Sequence, residues 1–306
     1  MTQSLTNDIL DVSNFISETL YDSGSGTYAL DSDAKLLLVE MSAGGGGGGA
    51  SVVSTSSGWS AAGQGGQSGA ACSFLVSLSD SDRTAINWSV GRGGVGEHSI
   101  LASSGTDSWS DSPQDVGINS TFGDMITCQG GKYGQPAGFF TSHDRAGGAA
   151  AQTDHNSNGI EIGTNDCNDS DINRASGVTV LPYQDGHIIL NIRSDLGFAA
   201  GGRGKEDTIY PGQGRPAGAI RAYYGTILDI EDGNINAGGG GGSTFFGRGG
   251  DGAPAAASDS SCAGRPSIMG YGGGGGGAGC AYVATIPYYG NGGAGKGGFI
   301  RIRAYK

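Results

Sequence analysis

Lys35-Leu-Leu-Leu-Val-Glu-Met-Ser-Ala-Gly44 is an apolar strand pattern that runs directly into five further glycines at positions 45–49. The arrangement recurs twice, where Ala237 precedes five glycines at 238–242 and Tyr271 precedes six at 272–277. Ordering six glycines costs about 3–6 kcal/mol more conformational entropy than ordering six alanines. Such runs are therefore either disordered linkers or segments packed where no other residue fits.

The residues beside the glycine runs favour ordered packing. Flexible linkers are Gly/Ser mixtures between domains, whereas these runs adjoin core-forming residues such as Leu36, Phe245 and Phe246. Ordered glycine can form an extended helix with three residues per turn and no internal hydrogen bonds. Each N–H and C=O must then bond to a neighbouring segment, at a spacing of about 4.8 Å by analogy with strands. We predict a core made of stacked polyglycine II helices.

Composition and charge limit the classes of function. Glycine occupies 63 of 306 positions, about three times its average share. The net charge of −12 argues against nucleic acid as a partner, because nucleic-acid binding calls for basic patches. The first residues lack the basic and apolar regions of a signal peptide, so no targeting segment is predicted.

Cysteine usage predicts reduced thiols. The cysteines at positions 72, 128, 167, 262 and 280 are odd in number and widely spaced, and none forms Cys-x-x-Cys. A disulfide framework or a zinc site therefore does not fit the pattern.

Two regions are predicted along the chain. Residues 1–20 have apolar residues at helical spacing and predict an amphipathic N-terminal helix, which either packs on the body or serves as an attachment segment. The apolar positions of this helix are Leu5, Ile9, Val12, Phe15, Ile16 and Leu20. Residues 21–306 are predicted to form one mainly β and irregular glycine-rich domain.

Short antiparallel strands lead into the glycine segments of this domain. Residues 70–79 and 84–90 are predicted to pair as a hairpin, and residues 121–128 form another short strand. Long polar loops are inserted at 97–117, 132–186 and 205–225. Loops of this length in a compact domain are usually functional.

These patterns together resemble the glycine-rich domains of bacteriophage tail-fibre proteins, including the tip adhesins of T-even-type phages. The shared features are a strand entering an Ala-Gly run (Leu37-Leu-Val-Glu-Met-Ser-Ala-Gly-Gly), Val90-Gly-Arg-Gly-Gly after a strand, the segment from Thr121 to Gly131, and Gly-Lys-Gly-Gly-Phe-Ile-Arg-Ile from Gly295. They cover most of residues 21–306. This sequence differs in carrying only a short N-terminal segment in place of a sizeable fibre-attachment domain.

The resemblance implies a polyglycine II sandwich whose loops contact a receptor, protein or glycan, on the bacterial surface. It implies a non-enzymatic adhesin that is made in the host cytoplasm and located in the virion tail fibre, with other fibre or baseplate proteins as partners. A homotrimer is left open as its oligomeric state. The alternative is a structural fibre or decoration protein whose loops contact neighbouring subunits.

Aromatic residues of the long loops are the candidates for receptor binding, because tyrosine and tryptophan dominate binding hot spots. Covering the edges of the glycine layers is the alternative role for each of them. The candidates are Trp109, Tyr133, Phe139, Phe140, Tyr183, Tyr210, Tyr223 and Tyr224.

One acidic loop opens like a calcium-binding loop. Asp154, Asn156 and Asn158 alternate before Gly159, and Asp166 follows, but Asn165 stands where a bidentate glutamate is needed. Asx turns in a solvated loop are the favoured interpretation, and no cofactor other than calcium is considered.

Catalysis is not predicted. The four histidines share no spacing typical of a catalytic triad, and no Gly-x-Ser-x-Gly motif occurs. Paired carboxylates for glycoside hydrolysis assemble only in the fold, so the sequence leaves that alternative open.

Overall fold

A computed structural model describes the strand and glycine segments of the chain. The described residues are 12–54, 60–61, 63, 65–78, 85–96, 100–102, 116–134, 160–162, 178–180, 189–195, 234–236, 238, 240–253, 262–283 and 286–306. Within these ranges no helix is both long and apolar enough to span a membrane.

The described elements are a single 3-10 turn at Val12–Asn14 and seventeen strands. The strands are β1 (Phe15–Tyr21), β2 (Ser25–Ala29), β3 (Leu36–Ser42), β4 (Val52–Ser54), β5 (Ser60–Ala61), β6 (Ala71–Ser77), β7 (Ala85–Ser89), β8 (Ile100–Ala102), β9 (Ser120–Phe122), β10 (Ile126–Cys128), β11 (Ile160–Ile162), β12 (Val178–Val180), β13 (Ile189–Asp195), β14 (Asn234–Asn236), β15 (Cys280–Val283), β16 (Ile286–Tyr289) and β17 (Phe299–Tyr305).

Two large antiparallel sheets contain most of these strands. The five-stranded sheet has the order β1-β17-β3-β6-β13, and the six-stranded sheet has the order β11-β12-β10-β9-β7-β2. Two smaller sheets have the orders β14-β15-β16 and β5-β4-β8, the latter with a parallel β4–β8 pair. The mainly β and irregular architecture predicted from the sequence is confirmed.

The apolar core lies between the two large sheets. Alternate residues of β3 point into it, because successive side chains of a strand face opposite sides of the sheet. Val39, for example, is fully buried and lies in register with Ile302 on β17 and Phe74 on β6. The six-stranded sheet and its β9–β10 turn contribute Tyr28, Ile86, Phe122, Met125, Ile126 and Cys128 to the same cluster.

Beyond this core the interior is made of backbone. The amides of Gly45 and Gly48 donate to the carbonyl oxygens of Lys296 and Gly293, at N–O distances of 2.9 and 2.8 Å. From one bond to the next, donor and acceptor each move by three residues, forwards in one segment and backwards in the other, so the two segments are antiparallel. This three-residue period is that of the polyglycine II helix.

Parallel neighbours show the same period. The carbonyls of Gly46 and Gly49 accept from the amides of Gly275 and Ala278, at 2.9 and 3.0 Å. On another side of the helix, the carbonyls of residues 44 and 47 accept from the amides of residues 131 and 134, both at 2.8 Å. Residues 44–49 therefore form the centre of a bundle, which we call the glycine lattice.

Close approach explains why the lattice requires glycine. A Cβ atom built on Gly44, Gly47 or Gly48 would lie 1.9–2.0 Å from a carbonyl oxygen of a neighbouring segment. No real side chain tolerates such a contact, so main chain packs directly on main chain.

The predicted N-terminal helix is wrong for the residues described. Phe15, Ile16 and Leu20 belong to β1, which pairs with β17 at the edge of the five-stranded sheet, and Val12 begins the 3-10 turn. Aromatic and β-branched residues fit a pleated, half-buried surface, and pairing with β17 provides the partner that an isolated helix lacks. Leu5 and Ile9 lie outside the described residues.

Two further predictions, a hairpin of residues 70–79 with 84–90 and a single strand over 121–128, are also wrong. β6 and β7 do not form a hairpin, because β6 lies between β3 and β13 in one large sheet and β7 lies between β9 and β2 in the other. Residues 121–128 contain two strands, β9 and β10, which pair across a turn in which Gly123 has a φ of 58°. That left-handed conformation suits glycine.

Candidate recognition surface at the distal end of the lattice

The lattice has two distinguishable ends. Residues 44–49 lead away from β3, and residues 91–96, 129–134, 248–253 and 272–278 run in the same direction. Returning segments run antiparallel between them, at 63–69, 116–118, 238–242, 262–268 and 290–297. We call the end at Gly49 the distal end and the end next to the two large sheets the sheet end.

The two small sheets lie at the distal end. β4 begins at Val52, separated from Gly49 by two residues, and β15 follows the lattice segment that ends at Ala278. Strands of one small sheet contact strands of the other. The Ser51 hydroxyl accepts a bond from the Gly290 amide at 2.8 Å and donates to its carbonyl at 3.2 Å. These buried bonds fix the distal ends of two lattice segments to each other.

The chain reaches the predicted loop 97–117 at the distal end. Gly96 ends one outward lattice segment, and a Cβ atom there would contact the Gly292 carbonyl oxygen. Ile100–Ala102 forms β8 of a distal sheet, whereas Gly117 re-enters the lattice beside Gly44, at the sheet end.

The chain reaches loop 132–186 at the same end. Lys132 and Tyr133 lie in an outward segment, and the Gly134 amide donates to the Gly47 carbonyl at 2.8 Å. Both side chains are half-buried, and burial lowers the pKa of Lys132. Further along, β11 and β12 extend the six-stranded sheet, so part of this range lies at the sheet end.

A family model described as a glycine-rich domain matches residues 22–305. The chain belongs to this glycine-rich domain family. No curated protein matches the sequence. The matched range includes the whole glycine lattice and every strand described except β1, which ends one residue before the glycine-rich domain begins.

Of the predicted receptor-binding residues, the described part of the glycine-rich domain contains Tyr133. The structure places it in an outward lattice segment near the distal end, with its side chain half-buried. The remaining candidates lie outside the described residues: Trp109, Phe139, Phe140, Tyr183, Tyr210, Tyr223 and Tyr224.

The candidate calcium ligands also lie outside the described residues: Asp154, Asn156, Asn158 and Asp166. Among the residues that the structure describes, no group of three or more His, Cys, Asp or Glu could hold a metal ion.

The attachment candidates that are described lie at the sheet end. Phe15 and Leu20 expose 43% and 51% of their surface, whereas Ile16 packs partly against the apolar core. Phe15 also makes an edge contact with Tyr305, with ring centroids 5.9 Å apart. These residues therefore form part of the strand edge, in place of the apolar stripe of a helix.

Sequence reasoning missed an exposed apolar pair near the sheet end. Ile268 and Met269 expose 75% and 59% of their surface, in the connection between two lattice segments. Tyr271 follows and packs on Phe299, with ring centroids 4.5 Å apart. Two large apolar residues between glycine-rich segments were the signal in the sequence that could have identified this pair.

Proposed function

We propose that this chain is a virion protein of a bacteriophage tail fibre, a non-enzymatic adhesin that presents its loops to a receptor on a bacterial surface. One observation carries the proposal. The lattice segments that lead into the two loops 97–117 and 132–186 both run towards the distal end, where Gly96 and Gly134 lie opposite the two large sheets. An adhesin needs such a common end, because several loops must reach one receptor together.

The lattice supplies a physical reason for this use. Its segments are joined by backbone hydrogen bonds in several directions, and its glycines have no side-chain rotamers to lose. A rigid support holds attached loops in place before binding, which reduces the entropic cost of association. Aromatic side chains on such loops supply large contact areas.

The partners and location of the protein follow from this proposal. Other fibre or baseplate proteins hold it in the virion, and the receptor is a protein or glycan of the bacterial outer surface. The large sheets, including β1, face the virion in this arrangement. Synthesis takes place in the host cytoplasm before assembly.

A structural fibre or decoration protein is the second candidate. The exposed pair Ile268 and Met269 favours it, because exposed apolar residues near the sheet end can contact a neighbouring subunit. In that case the contacts between subunits lie at the sheet end, and the distal loops bind no receptor.

Binding of purified protein to bacterial cells distinguishes the two candidates. A strain that binds the wild-type protein is first selected from a panel. Trp109→Ala and the double variant Phe139→Ala/Phe140→Ala are expected to lower cell binding at least tenfold, as loss of hot-spot residues does. The control is Ile268→Ala/Met269→Ala, which truncates apolar side chains near the opposite end and is expected to bind normally.

The reverse result overturns the adhesin proposal. If the sheet-end variant loses binding and the loop variants keep it, recognition takes place near the large sheets. If no strain of the panel binds the protein while the sheet-end variant fails to enter virions, the structural candidate replaces the adhesin.

A further inference from the structure

Two cysteines face each other across the apolar core. Cys72 lies on β6 of the five-stranded sheet and Cys128 ends β10 of the six-stranded sheet. Their Sγ atoms are 3.3 Å apart, and both residues are completely buried. The pair therefore joins two sheets that no described strand pairing connects directly.

Burial keeps the Cys72 thiol of this pair protonated in the folded protein. Burial raises the pKa of Cys72, and the neighbouring Cys128 thiol raises it further. The Cys128 sulfur also lies 4.0 Å from the Met41 carbonyl oxygen. The reactive species in thiol chemistry is the thiolate, so reaction requires local opening of the sheets.

We propose that Cys72 and Cys128 are a redox site that forms a disulfide between the two large sheets. A disulfide bond is about 2.05 Å long, so the two sulfurs, which are 3.3 Å apart, must approach each other by about 1.3 Å. Both cysteines adjoin glycine segments, since β6 follows residues 63–70 and β10 precedes residues 129–134. The bond would clamp the sheets at the point where the lattice begins.

The oxidation balances with a small disulfide as the oxidant. One cysteine thiolate attacks glutathione disulfide, forms a mixed disulfide and releases one glutathione thiolate. The second cysteine thiolate then attacks the protein sulfur of that mixed disulfide and displaces the other glutathione. The two cysteines lose two protons and two electrons in total, and glutathione disulfide becomes two glutathione thiols.

Tryptic peptide mapping tests this directly. Residues 36–83 and 93–132 are tryptic peptides, and each contains a single cysteine of the pair. Reduced protein is treated with glutathione disulfide in urea below its unfolding midpoint, then digested without reduction. A parallel sample receives iodoacetamide, and urea is raised until both cysteines are alkylated. This sample shows at which urea concentration a reagent in solution reaches the two buried thiols. The expected product is the two peptides joined, two hydrogen masses lighter than their sum.

Stability and a control variant complete the test. The joined protein is expected to have a Tm higher by about 5 °C or more, reversed by dithiothreitol, because the bond closes a long loop. Cys262→Ser is the control and should still form the link, since Cys262 lies in the lattice and not between the sheets. Alkylation of both cysteines without any joined peptide overturns the proposal, as does a link that involves Cys262. The result is independent of the proposed adhesin function.

Discussion

Gly48 and Gly276 approach so closely that a Cβ atom on Gly48 would lie 1.9 Å from the carbonyl oxygen of Gly276. The obstructing atom belongs to the backbone of a neighbouring lattice segment, which is itself bonded to other segments. Neither partner can therefore move aside without loss of hydrogen bonds. Interior positions of the lattice therefore require glycine, and a hydrophobic side chain cannot replace it.

Gly48→Ala is expected to lower the free energy of unfolding by about 2–3 kcal/mol, as overpacking of a dense interior does. Urea denaturation measures the change. Gly297→Ala is the matched control, because its nearest contact would be an ordinary 3.7 Å to the Gly91 carbonyl oxygen. Alanine there is expected to be neutral or to stabilise the protein by about 0.4–1 kcal/mol, because it lowers the conformational entropy of the unfolded chain. Equal losses for both variants would contradict an ordered lattice.

Ser120→Ala is expected to cost about 1–3 kcal/mol, the range for leaving a buried polar group without its partner. The buried Ser120 hydroxyl accepts from the Gly91 amide and donates to the Ser42 carbonyl, both at 2.8 Å. It thus joins three segments at the junction of sheets and lattice. Thermal unfolding of this variant is compared with that of Ser23→Ala. The Ser23 hydroxyl is exposed and bonds to the Asp22 carboxylate, so this control should change stability by less than about 0.5 kcal/mol.

Tyr21→Ala tests whether residues 15–21 form the edge strand. The Tyr21 ring stacks on Trp88 of the other large sheet, with centroids 3.8 Å apart and planes at 19°. Loss of this contact is expected to destabilise the protein by about 1–3 kcal/mol. The neighbouring Leu20 is 51% exposed, so Leu20→Ala should cost less than about 1 kcal/mol. A larger effect at Leu20 than at Tyr21 would argue against this strand.

Acid should weaken the strand pair β1–β17. The Arg303 Nε donates to the Glu18 carboxylate at 2.5 Å, and this bond lowers the pKa of Glu18 below its ordinary value of 4.5. A carboxyl whose pKa is depressed by folding stabilises the protein above the unfolded pKa and loses that effect as pH falls through the folded pKa.

The pH effect is expected to be small. Glu18 is 44% exposed, and exposed ion pairs contribute less than about 1 kcal/mol. The Tm of the wild type should exceed that of Glu18→Gln at pH 7, and the two should converge below pH 4.5. A constant Tm difference for Glu18→Gln across the range would exclude the ion pair as its cause.

The sequence predicts those features of the fold that depend on local pattern. The apolar residues of β3 and β17 follow patterns that predict strands. The glycine run after Ser42 and Ala43 left two possibilities, a disordered segment or a stacked helix. Long-range pairing was not predictable in the same way. Which strands flank β6, and that β1 pairs with β17 at the other end of the chain, depends on contacts that no window of residues contains.

The candidate surface could be predicted only as a set of loops. Lattice segments consist largely of one residue type, so their sequence does not encode which neighbours they have or in which direction they run. The common end of Gly96 and Gly134 emerges only from the close approach of Gly96 to Gly292 and from the bond of Gly134 to Gly47. Cys72 and Cys128 were missed for a related reason, since 55 residues separate them and the sheets bring them together.

An interior of peptide groups also has a thermal consequence. Exposure of apolar surface on unfolding raises the heat capacity, whereas exposure of polar surface lowers it. The glycine lattice buries amides and carbonyls where an ordinary domain buries methyl groups and rings. The heat-capacity change per residue should therefore be small, and the stability curve correspondingly flat, so that cooling weakens this protein less than it weakens a domain built on a hydrocarbon core.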